Sequence, residues 1–273
     1  MKKKITYKQT LQYLFEQLPM FQRVGPKAFK KDLKNIKKLV KALDNPHKKF
    51  PSIHLAGTNG KGSTAHMIAS ILQAAGLKVG LYTSPHYRDF RERIKINGKY
   101  ISQKAVIEFV QKNKPHFKSI QPSFFEITVA MAFDYFANQK VDIAVIETGL
   151  GGRLDSTNVI KPLVSVITNI SFDHTNFLGN TLPKIAKEKA GIIKKNTPVV
   201  IGEYQTQPAK VFKTIAKKRN TKITFANKKW KLNPIKETAT HIAFELSLVP
   251  LEGVGGETFP CLLYTSPSPR DRG

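Results

Sequence analysis

A glycine-rich loop offers the clearest chemistry in this sequence, because a lysine and hydroxyl side chains stand among its glycines. Gly57, Gly60 and Gly62 surround Lys61, and Ser63 follows. Glycines let backbone N–H groups converge on one cavity, and a helix N-terminus adds partial positive charge there. A lysine in such a loop reaches terminal phosphates. The loop therefore predicts a phosphate cradle, although its spacing departs from the usual pattern. The alternative is a tight strand-to-helix turn whose lysine is incidental.

Three more polar loops follow apolar runs that predict strands. They cover residues 83–86, 147–158 and 168–175. The carboxyl ends of parallel strands open on one edge of a sheet. We therefore expect one crevice to collect six polar side chains from these loops: Lys61, Ser63, Ser84, Glu147, Asp155 and His174.

Oxygen ligands in this crevice would suit Mg²⁺, which bridges phosphate oxygens in phosphoryl transfer. Ser84 and Glu147 are the first candidates, and His174 could hold a second metal ion or orient a phosphate. Each also has a structural alternative, since Ser84 could be a turn hydroxyl and His174 a hydrogen-bonded loop residue. The recurrence of polar loops after strands favours a common site.

The elements that must position these loops alternate along the chain, which predicts an α/β fold with a mostly parallel sheet flanked by helices. Helices are predicted over residues 7–18, 28–43, 65–75, 102–112, 126–138, 182–189 and 208–219. Strands are predicted over residues 53–56, 78–82, 94–96, 143–146, 163–167, 199–201 and 223–225. Asn97-Gly98 predicts a hairpin turn, and Gly76 and Gly191 are predicted helix caps. Residues 241–248 predict a small antiparallel appendage near the C-terminus.

The formal net charge of +26 indicates that the chain attracts polyanions. Nucleic acid is one candidate, and a nucleotide with a polycarboxylate substrate is another. The basic residues are mostly lysine and are spread along the chain, which is typical of solvated helix faces. A single cysteine, Cys261, excludes an internal disulfide framework and indicates a reducing cytosol. No apolar run is long enough to predict a membrane span.

Several motifs occur in order between residues 7 and 201: AGTNGKGST, LYTSPH, FRERIKING, SFFE, ETGLGGRLDSTN, TNISFDHTNFLG and IAKEKAGIIK. Together they resemble the folylpolyglutamate synthase/dihydrofolate synthase family of the Mur ligase superfamily. The resemblance implies a P-loop-type ATP-binding domain like the central domain of Mur ligases. It also implies an ATP-dependent carbon–nitrogen ligase that adds L-glutamate to dihydropteroate or (poly)glutamyl folates. The substrate carboxylate would become an acyl phosphate, which the amine of glutamate attacks.

The resemblance also assigns roles to residues. Lys61, Lys189 and His174 would be catalytic. The ATP phosphates would be cradled by Thr58, Asn59, Gly60, Lys61, Gly62 and Ser63. Two Mg²⁺ sites would draw on Ser84, Glu147, His174 and Lys189. Lys189 matches a lysine that the family carbamoylates, and its alternative is a solvated helix lysine. The pterin would contact Ser123, Phe124, Phe125, Glu126, Leu154, Asp155 and Ser156, with the aromatic rings packing on its flat face and Asp155 accepting its N–H groups.

Family members carry a second α/β domain that binds glutamate and completes the nucleotide site. We expect that domain to be missing here, with residues 1–250 forming the ATP- and pterin-binding domain. Residues 251–273 would be a non-native or disordered tail, since residues 264–273 are rich in Ser, Pro and Arg and the final residues resemble a translated sequencing-adapter scar. We therefore expect this chain alone to complete the reaction poorly or not at all.

Two other functions stay open from the sequence. The chain could belong to another Mur-type amide ligase acting on a different carboxylate, or it could be a non-catalytic basic module that binds nucleotides or nucleic acid. For the ligase, the expected partners are ATP, glutamate and dihydropteroate or a folate. The protein is expected to be a cytoplasmic monomer with no membrane and no nucleic-acid partner.

Overall fold

The computed structural model describes residues 5–16, 32–237, 241–248 and 258–264. The helices of these ranges are α1 (Tyr7–Glu16), α2 (Lys34–Ala42), α3 (Lys61–Ala74), α4 (Gln103–Ile120), α5 (Phe124–Asn138), α6 (Thr175–Leu178), α7 (Leu182–Lys189), α8 (Thr206–Lys218) and α9 (Ala226–Lys229). The strands are β1 (Ser52–Ala56), β2 (Val79–Tyr82), β3 (Ile94–Ile96), β4 (Lys99–Tyr100), β5 (Ile143–Glu147), β6 (Val164–Ile167), β7 (Val199–Ile201), β8 (Ile223–Phe225), β9 (Trp230–Glu237), β10 (His241–Leu248) and β11 (Thr258–Tyr264).

The main sheet has eight strands in the order β4-β3-β2-β5-β1-β6-β7-β8. Reading this order from β2 to β8, each neighbouring pair of strands is parallel. At the other edge, β3 pairs antiparallel with both β2 and β4. This arrangement confirms the predicted α/β fold with a mostly parallel sheet. The central position of β1 places the loop that follows it between the loops that follow β5 and β6.

Apolar residues cover both faces of the sheet, as parallel strands require. On one face, Tyr82 and Ile146 pack in a core with Phe133 and other residues of α2, α4 and α5. On the other face, Leu81 and Val145 pack against α3. A third cluster joins β6 and β7 to α7 and α8. All five residues of β5 are buried, so the polar residue at its end, Glu147, enters the site from within the core.

Most predicted elements are present with somewhat different ends, whereas α6, α9, β9 and β11 were not predicted. Helix α3 begins at Lys61 rather than residue 65, and α4 continues to Ile120 rather than residue 112. The Asn97-Gly98 hairpin turn is confirmed, with φ values of 47° and 73°. Gly76 follows α3 with a φ of 85°, as a glycine cap requires.

The prediction that Gly191 caps α7 is wrong. The chain continues from α7 directly into a 3₁₀ turn, Ala190–Ile192, which contains Gly191. The glycine is needed there for packing, because a Cβ on Gly191 would lie 2.3 Å from the Cα of Arg153. A glycine is thus required at residue 191 because of a tertiary contact, which the local sequence does not reveal.

A second, three-stranded antiparallel sheet has the order β11-β10-β9, which confirms the predicted appendage over residues 241–248. Its strand β11 lies within residues 251–273, the predicted tail, and pairs antiparallel with β10. The other tail residues, 251–257 and 265–273, lie outside the described residues, as do residues 17–18 and 28–31 of two predicted helices. The division of the chain into a domain and a tail stays a prediction. None of the helices in the described ranges is long and apolar enough to cross a membrane.

Candidate functional site

The loop after β1 is held in place by the loop after β6. The backbone N–H of Thr58 donates to the carbonyl of Asn169 over 3.0 Å, and the N–H of Asn59 donates to the Asn169 side chain over 3.0 Å. The hydroxyl of Thr168 donates in turn to the carbonyl of Asn59 over 2.6 Å. Gly57, at φ 150°, must lack a side chain, since a Cβ would lie 1.8 Å from the Thr168 hydroxyl oxygen. The loop conformation is thus fixed by contacts from the neighbouring strand end.

Helix α3 starts inside the glycine loop. Gly60 is its N-cap residue with a φ of 76°, and Lys61 is its first helical residue. The Lys61 ammonium bends back to donate to the carbonyl of Thr58 over 3.2 Å. The first N–H groups of a helix have no intrahelical partner and attract anions. The segment from Thr58 to Ser63 therefore combines a lysine with a helix N-terminus, as a phosphate cradle does.

Glu147 is 3% exposed at the end of β5, beside this cradle. The backbone N–H of Ser84 donates to its Oε2 over 3.1 Å, and a Cβ on Gly62 would lie 3.7 Å from the same oxygen. Burial raises the pKa of Glu147 to about 7, against the opposing effect of Lys61 and of the Ser84 hydrogen bond. A nearby cation would stabilise the ionised form of this buried carboxylate more than it stabilises that of an exposed one.

Lys189, at the end of α7, contacts the start of the glycine loop and is 2% exposed. Its Nζ donates to the carbonyl of Gly57 over 2.6 Å. Burial and the nearby Lys61 lower the pKa of Lys189 to about 8, while Asp173 and Asp155 oppose this change. The structure thus contradicts the alternative that Lys189 is a solvated helix lysine.

Asp155 organises the loop that follows β5. One of its carboxylate oxygens accepts from the N–H groups of Gly149 and Leu150, each over 2.8 Å. The other accepts from the N–H and the hydroxyl of Thr157. The Nε2 of His54 lies 2.8 Å from that hydroxyl, which completes a buried chain of polar groups. Both oxygens of Asp155 are therefore engaged within the protein, which differs from the expected role of accepting N–H groups from a ligand.

The segment expected to bind a pterin begins α5. Ser123 and Glu126 form a capping box, in which the Glu126 carboxylate accepts from the Ser123 N–H over 2.7 Å and from its hydroxyl over 2.9 Å. Phe124 is buried in the core, whereas Phe125 is half-buried against Gly149. Leu154 and Ser156 are also half-buried. Of the proposed pterin contacts, Phe125, Leu154 and Ser156 are partly open to solvent.

His174 is exposed, unlike the buried Glu147 and Lys189 with which it was predicted to bind metal ions. It is the exposed residue that precedes α6, with a φ of 47°, and its Nε2 is 3.5 Å from the carboxylate of Asp173. Among the residues that the structure describes, no group of three or more His, Cys, Asp or Glu side chains could hold a metal ion. Any metal ion here would therefore need hydroxyl, phosphate or water oxygens beside Glu147.

Arg93 and His86 were not singled out from the sequence, although both lie in motifs that were. Arg93 is 4% exposed, donates from Nε to Nδ1 of His86 over 2.8 Å, and lies 5.5 Å from the centre of the Phe124 ring. Burial and Arg93 together lower the pKa of His86. A buried guanidinium near Glu147 suits an anionic substrate. The closely spaced charged residues of the FRER segment were the sequence signal that could have identified Arg93.

Comparison with known proteins places this chain in a family. The model of the Mur ligase middle domain matches residues 55–255. The dihydrofolate synthase/folylpolyglutamate synthase of Bacillus subtilis is 49% identical over 191 residues, which are 67% of this chain and 44% of that protein. The folylpolyglutamate synthase of Lacticaseibacillus casei is 42% identical over 214 residues, 76% of this chain and 48% of that protein. The chain thus spans less than half the length of these two relatives.

Solved structures agree with this placement. The folylpolyglutamate synthase of Thermotoga maritima has a TM-score of 0.83 at 37% identity, and the match covers 97% of this chain and 58% of that protein's chain. A folylpolyglutamate synthase (FPGS) complex with AMPPCP and folate has a TM-score of 0.82 at 37% identity and covers 89% of this chain and 60% of its own. The chain therefore belongs to the Mur ligases and, within them, to the folylpolyglutamate synthase family.

Proposed function

We propose that this chain forms the nucleotide- and folate-binding part of an ATP-dependent ligase that joins L-glutamate to dihydropteroate or to folates. One observation carries the proposal: the glycine loop, the buried carboxylate of Glu147 and the buried amine of Lys189 converge around Lys61. The names of the relatives and the AMPPCP and folate complex of a similar structure support it.

The proposed reaction has two steps. A carboxylate oxygen of the pterin or folate substrate attacks the γ-phosphorus of ATP, ADP leaves, and an acyl phosphate forms. The amine of glutamate then attacks the acyl carbon, phosphate leaves, and the amine loses a proton. Lys61 and the first N–H groups of α3 would hold the phosphates of ATP and neutralise the charge that moves during the first step.

The residues around Glu147 fit Mg²⁺. The ion prefers hard oxygen ligands, and it keeps several waters while sharing one or two carboxylates with substrate phosphates. Glu147 supplies a buried carboxylate, and Ser84 supplies a hydroxyl on the residue whose N–H already contacts Glu147. Bound Mg²⁺ would offset charge on the phosphates. We propose Ser84 and Glu147 for one ion, and His174 with a modified Lys189 for a second.

The environment of Lys189 suits carbamoylation. With a pKa of about 8, roughly a tenth of its amine is neutral at pH 7 and about half at pH 8, far more than for an ordinary lysine. A neutral amine attacks the carbon of CO₂ and loses a proton, which leaves a carbamate anion and removes the repulsion between Lys189 and Lys61. We expect a ¹³C NMR carbamate signal at pH 8 in ¹³C-bicarbonate. Lys189→Arg should abolish it, while Lys187→Arg, an exposed change on the same helix, should keep it. A signal that survives Lys189→Arg, or none in the wild type, would contradict this modification.

For the folate, we propose that the flat ring lies near the half-buried Phe125, Leu154 and Ser156, with Arg93 close to its charged groups. Ser123, Glu126 and Asp155 would act by holding α5 and the loop after β5 in place. The residues proposed for ATP and folate belong to one chain, so we also propose that the protein is a monomer.

Product formation tests the function. The chain and the full-length Bacillus subtilis relative would each be incubated with ATP, Mg²⁺, glutamate and either dihydropteroate or a folate. We expect the relative to release ADP only when both co-substrates are present, and the chain to bind the folate more tightly once an ATP analogue is bound. Equal folate binding by wild type and Arg93→Ala would count against the proposed substrate site. A panel of other carboxylates would reveal a different Mur-type ligase.

A further inference from the structure

A second concave site lies at the opposite edge of the main sheet. It is a cavity of about 790 Å³ that extends between α2, residues 158–160, the residues before β7 and the end of α8. Residues 158–160 precede β6, Lys194 and Lys195 precede β7, and Arg219 precedes β8. Since these strands are parallel, the cavity lies at their amino-terminal edge, whereas the cradle follows the carboxyl end of β1. The two sites are therefore separate.

The walls of this cavity carry a concentrated positive charge from four parts of the chain. Besides Arg153, which is paired with Glu188 at 3.0 Å, the basic lining residues are Lys37, Lys41, Lys48, Lys194, Lys195 and Arg219. The lining residues in the described part of the chain include no Asp or Glu. No ion pair within the described ranges involves any of these six residues. Their mutual repulsion is a cost that a bound anion would relieve.

Lys194 is held in position at this cavity without a carboxylate partner. Its Nζ donates to the backbone carbonyl of Asn158 over 3.0 Å and to the Asn158 side-chain oxygen over 2.6 Å. The Asn158 amide nitrogen donates to the carbonyls of Arg153 and Gly191, which fixes the acceptor. Burial, Arg219 and Lys37 lower the pKa of Lys194 to about 8. A cation that is already oriented loses less entropy when a ligand binds.

We propose that this cavity binds a small, multiply charged anion through phosphate or clustered carboxylate groups. Its volume lies within the range of about 300–1,000 Å³ that is usual for small-molecule sites. Lysines supply point charges and Arg219 a planar fork, and both suit phosphate and carboxylate oxygens. Five of these cations, Lys37, Lys41, Lys48, Lys195 and Arg219, are solvent-exposed, and they line one shared concavity together with the half-buried Lys194. The site is independent of the cradle and of the proposed ligase activity.

Calorimetric titration at low salt tests this proposal on the full 273-residue chain. The phosphate probes are pyrophosphate and tripolyphosphate, and the carboxylate probes are citrate and triglutamate. Each is measured in wild type and in Lys61→Ala, which removes the lysine of the cradle. The pocket variant is Lys37→Ala/Arg219→Ala. Its matched control is Lys38→Ala/Lys217→Ala, which removes one exposed charge from α2 and one from the last turn of α8, just before Arg219, both outside the cavity.

We expect one probe class to bind the cavity with one-to-one stoichiometry in Lys61→Ala, and to bind it with the same affinity in wild type, beside any binding of phosphate at the cradle. The pocket variant should weaken that binding at least about tenfold and the control less than about twofold, because only the first removes charges facing the ligand. Stronger binding of the phosphate or of the carboxylate probes would identify the ligand's charged group. Equal weakening by the two double variants, binding lost with Lys61→Ala, or tight binding of a DNA oligonucleotide alone would overturn the proposal.

Discussion

At the scale of single residues, burial sets the charge state of the groups around the cradle. Glu147 and Lys189 are 3% and 2% exposed, and burial favours the neutral form of each. Lys61 acts on both, because its positive charge favours the Glu147 anion and disfavours the Lys189 cation. The site therefore holds one acid and one base whose pKa values are close to neutral, which is typical of functional sites.

The raised pKa of Glu147 makes stability depend on pH. In the unfolded chain the group titrates near 4.5 and in the fold at about 7, so the folded state binds the proton more tightly. Metal-free stability should therefore fall between these pH values by roughly 3 kcal/mol. Glu147→Gln should remove this loss. Urea unfolding at pH 5 and pH 8 in EDTA should show Glu147→Gln gaining stability over wild type mainly at pH 8.

Glu108→Gln is the control, since Glu108 is an exposed residue of α4 whose side chain is 65% accessible. It should shift stability equally at the two pH values. A gain from Glu147→Gln that is the same at pH 5 and pH 8 would contradict the burial argument.

At the scale of elements, close backbone approaches fix the loops. A Cβ on Gly191 would meet the backbone of Arg153, and a Cβ on Gly152 would lie 2.7 Å from the carbonyl oxygen of Lys189. The loop after β5 therefore packs directly on the end of α7. This contact holds the polar residues of one element against the lysine of the other.

Gly191→Ala should destabilise the fold by about 1–3 kcal/mol, because the backbone of Arg153 must move to admit a methyl group. Gly62→Ala is the matched control, since its Cβ would lie 3.7 Å from the nearest atom and alanine favours a helix. Chemical denaturation should show a clear loss for Gly191→Ala and no loss for Gly62→Ala. Equal stability of the two variants would mean that the α7 contact is not tightly packed.

The sequence was sufficient to predict most of the elements but not their side-chain partners. The alternation of apolar runs with helical patterns predicted β1, β5 and β6 and the loops that follow them. The role of Asp155 could not be predicted, because its partners are buried N–H groups that need acceptors only in the folded loop. Glu126 is a different case, because Ser123 and Glu126 have the local spacing of a capping box, yet the resemblance assigned both to the ligand.

At the scale of the whole molecule, the order of the strands explains the site. Parallel strands β5, β1 and β6 lie side by side, so their carboxyl ends bring Glu147, the cradle and residue 168 to one edge. The motifs predicted that such an edge exists, whereas the strand order itself is a long-range property of the fold. The basic cavity at the opposite edge depends on the same order, since it joins the starts of β6, β7 and β8 to α2. The basic residues are thus not distributed evenly over the molecule, because several of them line this one cavity.

Binding of an ATP analogue is the most direct test of the account. Calorimetry of the chain with AMPPCP and Mg²⁺ would compare wild type with Lys61→Ala and with Lys104→Ala, an exposed lysine on α4. The account predicts one nucleotide per chain, a loss of at least about tenfold in affinity for Lys61→Ala because a charge contact to phosphate is removed, and no change for Lys104→Ala. Affinity that is the same in all three proteins would contradict the assignment of the glycine loop as the nucleotide cradle.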